Sequence, residues 1–394
     1  MEKVRFGMIG LGNQGSQYAV NFFDKGLVEN GVLTAVCDIN PAKIQAIKEK
    51  IRPDGIVFFD DYQKMLDSGL IDAALVEVPH YFHPEIVTEC LKRDIHVICE
   101  KPAGVYTRQV REMNEAAGKS KALFTMMFNQ RTNSLYQKMR EIIASGGIGK
   151  LQRFTWIVTN WYRTQSYYES GGWRATWAGE GGGVLINQCP HQLDLLQWVL
   201  GAMPVSVRAV CEYGKWHDIE VEDDVTAFLR FESGATGVFI TTTGETPGTN
   251  RFEVSGTGGK LLCENDCIKY YKNRCDSIEF SLTSDKGFAT PGCDLVLDEP
   301  RGANPQHLGI INNFANAVLG LEPLFIDGRE GIRGVELMNA IELSGWKSGA
   351  EVTLPVDEEE YLDYLNRFRA VSRFDPSAED RVEDTSGTFE GAKI

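Results

Sequence analysis

The sequence predicts an α/β protein in two parts: a doubly wound, mainly parallel sheet, and then an α+β domain with an open, mainly antiparallel sheet. The first observation is that short apolar runs alternate with amphipathic stretches over about the first 125 residues, as strands and helices do in a parallel sheet. The second is that later segments alternate apolar and polar residues, which is typical of half-exposed strands. The change of pattern falls near residues 125–130.

The apolar runs of the first part predict strands that are buried on both faces. They lie at residues 4–9, 32–38, 56–59, 71–78, 95–99 and 123–128. The stretches between them predict helices after residue 15 and at residues 41–51, 62–66, 84–92 and 108–117. Ligands of such sheets bind at the carboxyl ends of the strands, so the residues that follow each strand are candidates for a functional site.

The turn after the first strand has the pattern Gly10-x-Gly12-x-x-Gly15. The first glycine permits the turn, the second lets the backbone approach a pyrophosphate, and the third lets helix and strand pack closely. Asn13 and Gln14 stand at the start of the helix, where backbone N–H groups face phosphates. The pattern alone also fits an ordinary glycine-rich turn, but its place between a strand and a helix predicts that these five residues bind a dinucleotide.

An acidic residue ends the second strand. Asp38 follows the last glycine at about the 20-residue spacing at which a carboxylate accepts the hydroxyls of an adenosine ribose. Its charge would repel a 2′-phosphate, and neither Ile39 nor Asn40 offers a cation, so NAD is favoured over NADP. The alternative is that Asp38 caps a helix that begins at Pro41.

The fourth and fifth strands also end in polar residues. Lys101 follows a buried strand directly, and its amine would point to the crevice where a nicotinamide lies. Burial there would lower its pKa from about 10.4; the alternative is a surface lysine that precedes a proline. We also assign Pro79, His83 and Glu100 to the cofactor site, whereas His80 and His83 are expected to have no catalytic role.

The second part begins with a predicted helix at residues 135–144 that ends at two glycines. Strands are predicted at residues 151–161, 204–213, 224–231, 236–243, 251–263 and 351–354, and helices at residues 307–319 and 331–347. The predicted division is a dinucleotide-binding domain at residues 1–127, a substrate and oligomerisation domain at 128–374, and an acidic tail or arm at 375–394, which is rich in Ser, Gly and charge.

Aromatic and arginine side chains alternate between residues 161 and 177, which we call the aromatic insert. Aromatic rings can stack on the C–H faces of a sugar or polyol, and arginines can donate to its hydroxyls. Arg163, Trp173 and Arg174 are therefore candidates for substrate binding. The alternative is a contact between subunits, because Trp and Arg are also common there.

A glycine-rich segment then leads to Asn187, His191 and Asp194. On a continuous helix this spacing places the three side chains along one face. His191 would be the acid/base group of this face, and Asp194 could hold its imidazole.

Composition excludes several classes of function. The formal net charge of −15 argues against nucleic acid or an anionic membrane as partner. The sequence contains no apolar run long enough for a membrane span, and it starts directly with a strand rather than a leader, so we expect a cytoplasmic protein.

Most of the nine cysteines lie in apolar segments and are expected to be reduced. Cys263, Cys267, Cys275 and Cys293 cluster in sequence, but without a CxxC pair or nearby histidine we expect no metal.

Three motifs together resemble the Gfo/Idh/MocA family over about residues 3–355: the glycine pattern, Glu100-Lys101-Pro102, and the Gly-Gly-x-x-x-(Asp/Asn)-x-x-x-His-x-x-Asp segment at 182–194. The resemblance implies an N-terminal Rossmann domain, tightly held NAD(P), and a C-terminal α/β domain whose open sheet often forms homo-oligomers. It also implies that Lys101 is the catalytic lysine and His191 the acid/base histidine. Asn187 stands where many members carry a catalytic aspartate.

On this basis we expect an NAD-dependent dehydrogenase that oxidises a secondary ring hydroxyl, at C3 in our preferred interpretation, of a sugar, glycoside or inositol. His191 would take the hydroxyl proton, Lys101 would stabilise the oxygen, and Asn187 would orient the substrate. One alternative is an NAD-dependent glycosidase or lyase that oxidises C3 transiently. Another is a non-catalytic NAD-binding subunit, because an amide at position 187 cannot take a proton.

Overall fold

The computed structural model describes residues 3–378 and 381. Its first sheet has six strands in this described part, all parallel, in the order β3-β2-β1-β4-β5-β6. The strands are β1 (Val4–Ile9), β2 (Gly31–Cys37), β3 (Val57–Phe59), β4 (Ala73–Val76), β5 (His96–Cys99) and β6 (Phe124–Met126). The order reverses between β1 and β4, and a ligand of such a sheet binds at this switch point.

Helices connect these strands. They are α1 (Asn13–Tyr18), which continues as a π-helical turn at Ala19–Phe23, α2 (Pro41–Lys48), α3 (Tyr62–Leu66), α4 (His83–Lys92) and α5 (Thr107–Ala117). The central strands are apolar because they are covered on both faces, and all four residues of β4 are buried.

The second sheet has nine strands within the described residues, in the order β14-β13-β12-β11-β7-β10-β9-β8-β15. The strands are β7 (Leu151–Val158), β8 (Ser206–Tyr213), β9 (Glu222–Arg230), β10 (Thr236–Thr242), β11 (Asn250–Gly256), β12 (Gly259–Glu264), β13 (Cys267–Asn273), β14 (Cys293–Pro300) and β15 (Val352–Thr353). Neighbours run antiparallel except β7 and β10, which are parallel. The predicted fold class, a parallel sheet followed by an open, mainly antiparallel one, is confirmed.

Eight further helices of the described chain surround this sheet or return to the first. They are α6 (Ser134–Ala144), α7 (Gln165–Tyr168), α8 (Val184–Asn187), α9 (Pro190–Leu200), α10 (Ser277–Thr283), α11 (Gln306–Val318), α12 (Gly331–Trp346) and α13 (Glu358–Ala370). Helix α12 packs on β8 and also on α5, so it links the two parts of the chain.

The second sheet differs from the sequence-based prediction at one hairpin and at one edge. Residues 251–263 form the hairpin β11–β12 rather than one strand, because the chain turns at Thr257 and Gly258. Strands β13 and β14 and helix α13 were not predicted. Strand β14 is the sheet edge and nearly all its residues are exposed, so its sequence carries no apolar period.

The helix predicted through residues 187–194 is interrupted. Asn187 is the last residue of α8, and α9 begins at Pro190. Proline lacks the N–H that an uninterrupted helix needs, but it fits the first turn of a new one. Asn187 and His191 therefore belong to two short helices that meet at a bend.

The division of the chain at residues 127 and 374 stays a prediction. Most of the predicted tail, residues 379–380 and 382–394, lies outside the described residues. Within the described part, the backbone N–H of Arg381 donates at 2.7 Å to the carbonyl oxygen of Ser170, which belongs to the aromatic insert.

Candidate active site

The glycine-rich turn between β1 and α1 is shaped by close packing at two glycines and by open space at the third. Gly10 has a φ of +100°, and a Cβ there would overlap the carbonyl oxygen of Glu77. A Cβ on Gly15 would overlap the carbonyl oxygen of Gly10. At Gly12 a Cβ would meet nothing within 4 Å. The first and third glycines thus hold the turn together, while the second leaves free the surface that a pyrophosphate would approach.

Asp38 connects this turn to the end of β2. Its carboxylate accepts hydrogen bonds from the backbone N–H groups of Leu11 at 2.7 Å and Asn40 at 2.8 Å. The alternative interpretation of Asp38 as the cap of α2 is wrong, because the side chain of Asn40 is the acceptor there, for the N–H of Ala42. Each carboxylate oxygen has further lone pairs, so Asp38 can still accept ribose hydroxyls.

Three strands end side by side at the carboxyl edge of the first sheet. The register pairs Ile9 with Val76 and Val76 with Cys99, so the next residues, Gly10, Glu77 and Glu100, form a row. The Glu100 carboxylate accepts from the Tyr18 hydroxyl at 2.5 Å and from the N–H of Lys101 at 3.0 Å.

Glu77, in the middle of this row, was not singled out from the sequence. Both its carboxylate oxygens are buried without a hydrogen-bond partner among the described residues. Burial, with Glu100 nearby, raises its pKa well above the ordinary glutamate value. The signal for Glu77 in the sequence is an acid directly after a fully apolar strand. Its neighbours across the sheet depend on the strand register, which the sequence does not show.

Lys101 joins the two parts of the chain. Its Nζ donates to the backbone carbonyl oxygen of Asn187 at 2.9 Å. Burial lowers the pKa of Lys101, although Glu100 and Glu180 oppose this effect. The structure thus brings together the predicted lysine and the predicted asparagine, which are far apart in sequence.

His191 lies in the first turn of α9 near Lys101. Its Nδ1 is buried and has no hydrogen-bond partner among the described residues. Burial, together with the neighbouring Lys101 and His307, brings the pKa of His191 well below the usual histidine value. The imidazole is therefore neutral near pH 7 and can accept a proton.

Asp194 does not hold the imidazole, so that prediction is wrong. Arg131 takes both its carboxylate oxygens, with Nε at 2.8 Å and Nη2 at 2.6 Å, and the side chains are 2% and 1% exposed. A buried carboxylate is best satisfied by the two parallel donors of a guanidinium. Arg131, which the sequence analysis missed, comes from the 3-10 turn Asn129–Thr132.

Asn187 is held on both sides of its amide. Its Nδ2 donates to the Glu180 carboxylate, and its Oδ1 accepts from the hydroxyl of Tyr167 at 3.2 Å and from Nε2 of Gln188 at 3.2 Å. Glu180 and Tyr167 were also missed as site residues. Glu180 lies beside the glycine segment in sequence, but nothing in the sequence shows that its side chain turns back to position 187.

Two arginines of the aromatic insert lie against the ring of Tyr167. The Arg174 guanidinium lies over the rings of Tyr167 and Trp173, at 4.7 and 4.6 Å from their centroids, and its Nη1 donates to the Tyr167 hydroxyl at 3.0 Å. The Arg163 guanidinium lies 5.1 Å from the Tyr167 centroid. Because Tyr167 donates to Asn187, Arg163 and Arg174 are linked to Asn187 through Tyr167, and Trp173 is linked to it through Arg174.

The loop after β4 is held by its histidines. His83 has Nδ1 at 2.7 Å from the carbonyl oxygen of Pro102 and Nε2 at 2.8 Å from that of Val78. Burial lowers the pKa of His83 to about 4. The ring thus ties this loop to the Lys101-Pro102 segment, and the assignment of His83 to the cofactor site stays a prediction. Pro79 begins the 3-10 turn His80–Phe82, and the His80 ring lies edge-on to Trp173 with centroids 6.0 Å apart.

Within residues 3–378, no helix is long and apolar enough to cross a membrane. The described His, Cys, Asp and Glu side chains form no group of three or more that could hold a metal ion. All nine cysteines are free, and six of them, Cys37, Cys90, Cys99, Cys189, Cys211 and Cys263, are buried.

Comparison with known proteins places these features in a family. A model described as an oxidoreductase family with an NAD-binding Rossmann fold matches residues 4–128, and the GFO/IDH/MocA C-terminal domain model matches residues 136–262. Myo-inositol 2-dehydrogenase of Thermotoga maritima is 27% identical over 269 residues, which cover 66% of this chain and 75% of that protein. D-glucoside 3-dehydrogenase of Escherichia coli is 29% identical over 218 residues, 51% of this chain and 60% of that protein.

Solved structures show the same relationship over more of the chain. The WlbA dehydrogenase of Chromobacterium violaceum, in complex with NADH and UDP-GlcNAcA, has a TM-score of 0.75 at 28% identity and covers 91% of this chain and 97% of that one. A levoglucosan dehydrogenase complex with NADH and levoglucosan has a TM-score of 0.72 at 20% identity, which shows the shared fold. The chain therefore belongs to the Gfo/Idh/MocA family of oxidoreductases, and its first sheet is the core of an NAD-binding Rossmann domain.

Proposed function

We propose that this protein is a dehydrogenase that uses NAD to oxidise a secondary ring hydroxyl of a sugar, glycoside or inositol to a ketone. The carrying observation is the hydrogen bond from Lys101, at the carboxyl edge of the NAD-binding sheet, to Asn187 in the second part of the chain, with His191 close enough for Lys101 to lower its pKa. NAD, when bound, supplies the hydride acceptor. The open surface at Gly12 and the carboxylates of Asp38 and Glu100 fit such a cofactor.

The protein side of the mechanism is acid/base chemistry. The neutral imidazole of His191 removes the proton of the reacting hydroxyl. An ammonium has three N–H groups, and Lys101 uses one on the carbonyl oxygen of Asn187, so another can donate to the substrate oxygen and stabilise its developing charge. The Asn187 amide orients the substrate through a neighbouring hydroxyl. No step requires Asn187 to ionise.

The aromatic insert supports a glycoside or pyranose as substrate, with oxidation at C3. Trp173 and Tyr167 provide rings, and Arg163 and Arg174 provide donors, beside Asn187. The named activity of the Escherichia coli relative, a D-glucoside 3-dehydrogenase, agrees with this choice. Because inositol dehydrogenases are among the relatives, cyclitols are also candidate substrates to be tested.

The same proposal includes a cytoplasmic homo-oligomer. Buried free thiols suit a reducing compartment. Strands β8 and β9 expose Val210 at 59% and Phe228 at 40%, an apolar surface of the open sheet that a second copy could cover. Light scattering of the purified protein measures the oligomer directly, and a monomer at micromolar concentration would contradict this part.

The activity test uses the whole protein with NAD and a panel of inositols, free pyranoses and glycosides. We expect one class to lose two hydrogens, seen as a two-dalton decrease by mass spectrometry, with matching NADH absorbance. Aglycone release without net NADH would instead establish the redox-neutral glycosidase. NAD binding without any product would favour the non-catalytic subunit.

The role of His191 is tested with the substrate so found. His191→Ala is expected to lower kcat by roughly 10²- to 10⁴-fold, the usual contribution of a general base, with the Kd of NAD unchanged. Near-normal turnover of this variant would contradict the mechanism.

A further inference from the structure

Glu180 is a buried carboxylate that the mechanism above does not use. It is 2% exposed, directly before the glycines that lead into α8. One oxygen accepts from the backbone N–H of Ala175 at 2.6 Å, and the other accepts from the Asn187 side chain. Its backbone N–H donates to Thr176 at 2.9 Å, and its carbonyl oxygen is 3.2 Å from Nδ1 of His80. The carboxylate therefore has one fixed position.

This position decides which way the Asn187 amide points. A carboxylate only accepts hydrogen bonds, so the nitrogen of Asn187 must face Glu180. The oxygen then faces the aromatic insert, where it accepts from Tyr167 at 3.2 Å. If the amide were flipped, its nitrogen would face the substrate as a donor. Its oxygen would then lie against the Glu180 carboxylate, so that two acceptors would face each other.

Glu180 also lies in a site rich in cations. Burial raises the pKa of its carboxyl, and Arg174 and Lys101 oppose this effect and favour the ionised form. Conversely, Glu180 favours the charged form of Lys101. An aspartate at position 187 would itself bring a carboxylate close to Lys101. In this chain the residue at position 187 is an amide, and the carboxylate is that of its neighbour Glu180.

We propose that Glu180 is a positioning residue of the active site, which fixes the Asn187 oxygen toward the substrate and supplies the negative charge that position 187 lacks. The proposal rests on the proposed dehydrogenase function. It implies that a substrate hydroxyl replaces Tyr167 or Gln188 as a donor to the Asn187 oxygen, so a substrate analogue without that hydroxyl binds less tightly.

The test exchanges the two groups. Glu180→Gln leaves two amides in contact and no charge, and Asn187→Asp leaves two carboxylates in contact. Each single variant is expected to lower kcat by at least about tenfold, the effect of losing a hydrogen bond to a charged group. The Asn187→Asp loss should grow as pH rises, because the second carboxylate then ionises.

The double variant E180Q/N187D restores one amide and one carboxylate with their positions reversed. We expect it to recover most of the kcat lost by either single variant, whereas independent roles would make the two losses multiply. Multiplying losses would overturn the proposal. Glu232→Gln changes an exposed glutamate outside the site and serves as the matched control, with unchanged kinetics.

Two further measurements separate the explanations. The Kd of NAD and the Tm of each variant show whether the fold and the cofactor site are intact. If exchange restores Tm but not kcat, Glu180 is merely structural and the proposal fails. If the wild type oxidises no substrate of the panel, the proposed dehydrogenase function fails instead. In that case, coupling between positions 180 and 187 in Tm alone would not support a role of Glu180 in the active site.

Discussion

At the scale of single residues, His191 and Asp194 lie on the same helix, α9, but their side chains have different surroundings. His191 keeps a free ring nitrogen near Lys101, while Asp194 is used up by a buried ion pair with Arg131. A polar residue one turn from a histidine is therefore no evidence of contact. Here the Asp194 carboxylate pairs instead with the guanidinium of Arg131, which comes from a distant part of the sequence.

This difference predicts how Asp194→Asn behaves. Removing one partner of a buried pair leaves the other charge poorly compensated, so we expect the free energy of unfolding to fall by about 3 kcal/mol. Arg131 keeps Glu330 as a second partner at 3.0 Å, which limits the loss. Chemical denaturation measures the change. A variant of full stability that had lost activity would show instead that Asp194 serves His191.

At the scale of elements, the β1–α1 unit assigns different tasks to its glycines. Gly15 lies where helix and turn touch, and Gly12 lies where they leave space. The backbone of Gly12 has a φ of −66°, which any L-residue can adopt. The two positions can therefore be changed by the same methyl group with different consequences.

Gly15→Ala is expected to destabilise the protein by roughly 1–3 kcal/mol, because the new methyl forces the helix away from Gly10. Gly12→Ala should leave the stability without ligand nearly unchanged but weaken NAD binding, because its methyl occupies the surface that faces the pyrophosphate. Thermal unfolding with and without NAD distinguishes the two effects. Equal losses of stability in both variants would contradict this assignment.

At the scale of the whole molecule, a buried acid makes stability depend on pH. Glu222 on β9 accepts from the N–H groups of Gly183 and Leu185 and so caps α8 from the second sheet. Burial raises its pKa to about 7. An unfolded glutamate titrates near 4.3, so between about pH 4.3 and 7 only the folded state keeps this proton.

The sign of the effect follows from this difference. The contribution of Glu222 to stability is fully present below about pH 4.3 and is lost as pH rises to about 7, at up to about 1.4 kcal/mol per pH unit. Glu222→Gln keeps an acceptor for both N–H groups and should remove this slope. Urea denaturation across this range, with exposed Glu232→Gln as control, measures the difference, and parallel curves for wild type and Glu222→Gln would disprove it.

Sequence alone was sufficient for the parts of the molecule governed by local periodicity and by motifs. Buried parallel strands such as β4 are apolar throughout, and the glycine spacing follows from the turn itself, so both could be recognised. Strand β14 escaped because its residues are nearly all exposed, whereas helix α13 has an apolar face at Tyr361, Leu365 and Phe368 whose helical spacing could have been recognised. The partners of Asp194 and Asn187 and the surroundings of Glu77 could not be predicted, because they depend on which segments of the chain lie together in the fold.

The bond from Lys101 to Asn187 has a consequence for motion. The lysine follows a strand of the NAD-binding sheet, and its acceptor is a main-chain oxygen at the bend between α8 and α9 in the other part. No side-chain substitution at position 187 can delete that acceptor. The bond therefore ties the two parts together, and any hinge opening that separates them must first release the Lys101 amine, to which the proposed mechanism assigns the substrate oxygen.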